Sequence, residues 1–251
     1  MSIDTARRHT ESRKSHSAAH SRAMRPEEKS ERRDDIVAAA RSLLLGDPHA
    51  GFPIDAVARA AGLAKGTLYL YFRTREEVLL AAHEAQVHEL FDIVERALGA
   101  PKANASSIVG AGLGYLHAHS NFYPLAGNCR SMLDTKVGTD CALAFKVRLG
   151  RRLAVLGSRI EVMYPGLASG QGAALLMNSY ALMIGLWQQA DPPACLREAM
   201  RAPEMRIFRI DFEAQLAGAL NDLWDAAQRR SRQNDRGSPG IHARKSIRRK
   251  Q

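Results

Sequence analysis

Cysteine is scarce in this sequence: Cys129, Cys141 and Cys195 are the only three in 251 residues. Three scattered thiols cannot build a disulfide framework, so the expected compartment is a reducing one, the cytoplasm. Long apolar runs are also missing. The most apolar stretch, 173–187, contains Asn178, Ser179 and Tyr180. A bilayer-spanning helix needs about 20 predominantly apolar residues, so no membrane segment is expected. The first 31 residues have no apolar segment of the kind a secretory signal requires. Strand-like alternation and internal repeats are absent as well.

Catalytic and metal-binding signatures fail on inspection. His83-Glu84 followed by His88 looks like a zinc-protease helix, but the two histidines are five apart and do not share a helix face. Gly110, Gly112 and Gly114 are not spaced as a dinucleotide loop, and no strand precedes them. His117, His119 and Cys129 have no metal-site spacing. No Ser-His-Asp or paired-carboxylate arrangement can be argued. The expectation is a non-enzymatic protein without a cofactor.

Positive charge is present but unevenly placed. Residues 1–33 hold nine Lys/Arg against five Asp/Glu, and 229–251 hold nine against one, whereas 34–228 hold 18 against 20. The net charge of +10 therefore comes from the two ends. One local patch matters more: between 54 and 75, Arg59, Lys65, Arg73 and Arg75 face only Asp55.

Apolar periodicity of helical type runs through the rest. The polar segment 1–31 is expected to be a disordered basic extension, either simply solvated or an arm that adds phosphate contacts. A first helix is predicted over 32–45, with Ile36, Val37, Ala40, Leu43 and Leu44 on one side; Gly46, Asp47, Pro48 and Gly51 end it. Further helices are predicted over 76–98, 105–120, 137–163, 167–189 and 208–227. Pro124 and Gly127 suggest a short, broken segment over 121–133. The basic stretch 229–251 is expected to be a disordered tail. The predicted fold is all-α, with about nine helices.

The most informative stretch is 56–75. Val57, Ala58 and Ala61 give a short helix an apolar face, and Gly62 ends it where the chain must reverse at positive φ. Leu63 plugs the turn. A second helix is predicted over 65–72, with Leu68 and Phe72 four apart on its inner side and Lys65, Thr67, Tyr69 and Tyr71 largely elsewhere. This is helix-turn-helix patterning, in which the second helix enters the major groove of DNA.

The run A-A-G-L-A-K-G-T-L-Y-L-Y-F, followed by R-T-R-E-E-V-L-L, resembles the tetracycline-repressor (TetR) family of bacterial regulators. Gly62, Lys65, Gly66, Thr67, Tyr69, Tyr71, Phe72, Glu76 or Glu77, and Leu79 occupy that motif's positions. Two departures stand out. Phe52-Pro53-Ile54 fills positions where the family usually has Thr or Ser, and Ala64 stands where it often has Ser.

The resemblance implies a three-helix DNA-binding head over 32–80 and a helical effector-binding and dimerisation body over 81–228. It implies that Lys65 and Tyr71 face the groove, that Thr67 and Tyr69 lie at its edge or on phosphate, that Gly66 lets the backbone approach, and that Arg75 meets phosphate. It implies a homodimer through about 167–189 and 208–227, matched to a palindromic operator in double-stranded DNA. A small apolar effector would bind in the body, with Tyr115, His119, Phe122, Met132, Phe145, Arg148, Met177 and Trp187 as candidate lining residues. The expected function is that of a ligand-released repressor; the alternative is a body that binds a protein partner instead.

Overall fold

The computed structural model describes residues 25–45 and 52–237. Among them lie nine α-helices and no strand: α1 (Pro26–Leu44), α2 (Ile54–Ala60), α3 (Lys65–Leu68), α4 (Arg75–Leu98), α5 (Ala105–Ala118), α6 (Phe122–Thr135), α7 (Thr139–Met163), α8 (Gln171–Ala190) and α9 (Phe212–Gly237). Three short 3₁₀ turns fall between α8 and α9. The all-α expectation is borne out.

Two apolar clusters organise the chain. In the first, Ile36, Ala40 and Leu44 of α1 meet Val57, Leu68, Phe72 and the first turns of α4. Leu125, Cys129 and Met132 of α6 and Phe145 of α7 close it from the other side. In the second, Val87, Phe91 and Val94 of α4 meet α5, α7, α8 and α9. α4 is therefore common to both, and its buried face is unbroken from Glu77 to Val87 apart from the half-buried Ala85. Thr74 starts α4 by accepting a 3.1 Å hydrogen bond from the Glu77 backbone N–H.

Several boundaries differ from those read in the sequence. α1 begins at Pro26, six residues earlier than predicted. Proline fits a first helical turn, and the Glu28 carboxylate accepts from the Arg25 backbone N–H at 3.2 Å. The predicted disorder thus fails for 26–31, and 1–24 lie outside the described residues. The glycines and proline expected to end this helix also lie outside, in 46–51.

α6 is one continuous helix rather than a broken segment. Pro124 sits in its first turn, where no intrahelical N–H bond is lost. Gly127 lies against Trp187: a Cβ there would come within 2.7 Å of the indole ring. Close packing, not helix breaking, explains the glycine.

α9 runs ten residues past its predicted end at 227 and takes in the start of the expected tail. Ser231 is 3% exposed, and its hydroxyl accepts from the Gly166 backbone N–H at 3.0 Å. Asn234 returns a bond to the Gly166 carbonyl at 2.8 Å. These contacts hold a stretch whose composition alone reads as solvated. Residues 238–251 lie outside the described residues. α8 and α9 each begin four residues later than predicted, at Gln171 and Phe212.

Charged pairs tie the helices together. Arg41 of α1 makes two 2.6 Å hydrogen bonds to Glu89 of α4. Glu89 also accepts from the Tyr115 hydroxyl of α5 at 2.8 Å. Arg148 of α7 grips Glu84 with bonds of 2.5 and 2.8 Å. Paired in this way, partly buried charges need not be neutralised.

Candidate nucleic-acid interface and body cavity

The chain reversal after α2 is made by Gly62, whose φ of 66° is favoured only for glycine. The Leu63 backbone N–H bonds the Ala58 carbonyl at 2.8 Å and that of Gly62 bonds Arg59 at 3.1 Å, so the freed carbonyls of α2 are satisfied. α3 starts at Lys65, and Ala64 at its N-cap position supplies no side-chain cap. It is four residues long, but turn bonds extend it: Tyr71 N–H to Leu68 at 2.9 Å and Phe72 N–H to Leu68 at 3.1 Å. Leu68 and Phe72 are almost fully buried, as their spacing predicts.

That inward anchoring turns part of the remaining set outward, while Tyr71 packs against the edge of the first cluster. Lys65, Gly66 and Tyr69 are exposed; Thr67, Tyr71 and Arg75 are half-buried. The Lys65 ammonium lies 2.8 Å from the Asp55 carboxylate, which raises its pKa and keeps it charged. Nothing lies within 4 Å of a Cβ built on Gly66. The protein's own packing therefore does not require glycine there. Arg75 is partly committed inward: its Nε–H donates to the Phe52 carbonyl at 2.8 Å and its guanidinium lies over the Phe52 ring. Arg33 of α1 covers the Phe72 ring from 4.8 Å, a contact not visible in the local sequence pattern.

The body contains a cavity of about 90 Å³ between α4, α5, α6, α8 and α9. Val87, Leu90, Phe91, Ile108, Leu116, Phe122, Met183, Leu220 and Trp224 contribute to its wall, and Ser179 and Tyr180 are its hydroxyl-bearing residues. No charged residue lines it. Ser179 accepts from the Trp224 indole N–H at 3.0 Å.

Of the eight residues picked out in the sequence, Phe122 alone reaches this cavity. Met132 faces a separate cleft of about 220 Å³ between α1, the start of α4 and α6. Phe145 is in the first apolar cluster. Arg148 is paired with Glu84. Tyr115 bonds Glu89, with His119 stacked on it at 4.1 Å. Trp187 packs on Gly127 and Tyr123. Met177 is 59% exposed on the outer face of α8. The actual wall comes mostly from plain aliphatic residues. Val87, Leu90 and Val94 are readable from periodicity as a buried face but not as the side of a void.

One polar group adjoins the cavity. His83 of α4 is 1% exposed, and its Nε2 is 3.1 Å from the Tyr180 hydroxyl. Burial, helped by the nearby Lys146 charge, pushes the imidazole down to about 4, so it is neutral. Burial raises the pKa of the Tyr180 hydroxyl. It also raises those of Cys129 and Cys141, which remain thiols rather than reactive thiolates. Among the described residues no group of three His, Cys, Asp or Glu is placed to hold a metal, and no helix is long and apolar enough to cross a membrane.

Two family models match the sequence. One, described as bacterial regulatory proteins of the tetR family, matches residues 36–82. The other, described as the tetracyclin repressor-like C-terminal domain, matches residues 81–229. No curated protein matches the chain. Similar solved structures include the fatty acid degradation regulator FadR from Bacillus halodurans, 17% identical, covering 77% of this chain and 94% of that one, with a TM-score of 0.49. FadR from Bacillus subtilis in complex with stearoyl-CoA is 17% identical, with 77% and 98% covered and a TM-score of 0.48. The TetR-family regulator PfmR from Thermus thermophilus is 18% identical, with 76% and 97% covered and a TM-score of 0.45.

Proposed function

The chain belongs to the TetR family of bacterial transcription regulators, and on that footing we propose that it is a homodimeric repressor, released from a palindromic operator by a small, largely apolar ligand. The observation that carries the DNA-reading half is the turn around Gly62. It buries Leu68 and Phe72 and leaves Lys65, Gly66 and Tyr69 outward. In this reading Lys65 and Tyr71 meet base edges, Thr67 and Tyr69 the groove edge or phosphate, Gly66 a close backbone approach, and Arg75 a phosphate. Lys65 exchanges its Asp55 contact for the DNA as it does so.

The proposed head comprises α1 to α3 with the first turns of α4, and the proposed body the remainder through α9. For the dimer, the outer face of α8 supports pairing with a second copy. Ala174, Met177, Asn178, Ala181 and Gly185 recur there at helical spacing and are exposed in the single chain. Gly218 is likewise exposed on α9. Two-fold pairing matches two half-sites in successive major grooves.

The cavity supports the ligand reading because it is apolar, lies between the body helices and is walled in part by α4. α4 also carries the core residues Val78 to Ala82 of the first cluster. A ligand that prefers one position of α4 shifts the population of head spacings. A second reading, in which the body engages a protein, has one observation in its favour: Leu196, Ile207 and Phe208 are exposed between α8 and α9. No catalytic role is proposed, and the proposed location is the bacterial cytoplasm.

Fluorescence anisotropy with DNA from upstream of the protein's own gene tests the main reading. Selective binding that a cavity ligand weakens supports it. Selective binding that changes only when a stoichiometric protein is bound supports the second.

A further inference from the structure

Two buried polar atoms on α4 have no protein partner among the described residues: His83 Nδ1 and Gln86 Oε1. Both side chains are 1% exposed and stand three positions apart, on one side of the helix. An unmet polar atom in such a place is costly unless something bonds it. The pair does not line the body cavity but lies directly behind two of its wall residues, Phe122 and Tyr180. The other histidine nitrogen is 3.1 Å from the hydroxyl of Tyr180, which lines the cavity. Phe122, also in the wall, presents its ring to His83 at 5.3 Å between centroids. The Gln86 amide donates to Asn121 at 2.9 Å, and Asn121 directly precedes Phe122.

We propose that the ligand of this cavity is an uncharged molecule with an apolar body and a hydroxyl group, and that the hydroxyl reaches past Phe122 to bond Gln86 and His83. The inference rests on reading the body as a ligand-binding unit and names the chemistry it selects. A hydroxyl both donates and accepts. It therefore donates to the Gln86 carbonyl oxygen and accepts from His83 Nδ1–H, in the tautomer whose Nε2 accepts from the Tyr180 hydroxyl. An ether or ester oxygen only accepts and leaves Gln86 unmet. A carboxylate is disfavoured because no Arg or Lys lines the cavity and a buried anion needs a cation. The volume of about 90 Å³ admits a short apolar body, with flexible Met183 able to yield to a longer one.

The test compares isomers that differ only in the ability to donate. Binding of 1-pentanol and of methyl butyl ether to the full chain is measured by thermal shift and by side-chain nitrogen NMR of the His83 imidazole. The alcohol is expected to bind about tenfold more tightly, the effect of one buried acceptor left without a partner. Both isomers should move the His83 nitrogen resonances, since either oxygen accepts from Nδ1–H, and the alcohol's advantage comes from Gln86. In Gln86→Met the preference should vanish while both isomers still bind. Equal binding of the isomers to the native protein, binding of neither, tighter binding of sodium pentanoate, or a preference that survives in Gln86→Met overturns the proposal. If Gln86→Met fails to fold, the comparison in the native protein decides alone. Selective alcohol binding that leaves operator affinity unchanged preserves this inference and removes the ligand-released repressor.

Discussion

Arg41 and Glu89 lie 48 positions apart in the chain and meet through two hydrogen bonds of 2.6 Å each. The pair joins α1, beside the turn proposed to read DNA, to the middle of α4, and Glu89 passes the connection on to Tyr115 of α5. The neighbouring guanidinium holds the Glu89 carboxyl below its usual range, with the Tyr115 hydroxyl adding to this against burial. α1 is thereby linked to α5 by a chain of charge-assisted bonds through one carboxylate.

Replacing Arg41 by Ala is expected to cost about 1–2 kcal/mol in unfolding stability, because the pair is bidentate yet remains partly open to solvent. A double-mutant cycle with Glu89→Ala, read by urea denaturation, should give a coupling of about 1 kcal/mol. No measurable coupling would mean that the two groups stabilise the fold independently.

Gly66 offers a separation of fold from binding. A Cβ at this position meets nothing within 4 Å, and alanine is the better helix former by about 1 kcal/mol. Gly66→Ala should therefore melt no earlier than the native protein. Its affinity for operator DNA should fall at least about tenfold if the backbone must approach the duplex closely. Unchanged affinity would remove Gly66 from the proposed contact set.

His83 gives the fold a pH dependence of definite sign. Its pKa is about 4 in the folded protein against 6.5 as the ordinary value. The unfolded chain therefore binds the proton more readily. The stabilisation is present in full above pH 6.5 and is lost as pH falls from there toward about 4. Its size is about 3 kcal/mol. Chemical denaturation between pH 7 and pH 4.5 should show a clearly smaller loss of stability in His83→Gln than in the native protein. Parallel curves would contradict the assignment.

The helix-turn-helix was legible because it is local. Gly62, Leu68 and Phe72 each satisfy a rule that acts within a few residues, and the structure places all three as those rules require. α6 is not legible as one helix because Pro124 and Gly127 are helix breakers by local rules. The first occupies a permissive turn, and the second answers to Trp187, sixty positions away in sequence. The end of α9 is not legible because its basic composition hides two bonds to Gly166. The cavity was the least legible feature. Voids follow from how five helices diverge, and aromatic or Met residues such as Phe145 and Trp187 proved to be packing elements elsewhere. In sequence His83 shows only a metal-motif spacing that fails by one residue; its burial beside Tyr180 is a tertiary fact.

The central claim is that Lys65 and Tyr71 present a sequence-reading surface in a paired molecule. The most direct test is anisotropy titration of the native protein and a Lys65→Ala/Tyr71→Ala double variant on DNA from upstream of its own gene, repeated across a range of salt. The predicted result is tight, sequence-selective binding with two protomers per site in the native protein, and loss of that selectivity in the double variant, which is helical at the assay temperature although the loss of Tyr71 from the edge of the first cluster lowers its melting temperature. Binding that ignores sequence, fades steeply as salt rises and is the same in both proteins would mean that basic charge alone holds the DNA, and would contradict the claim.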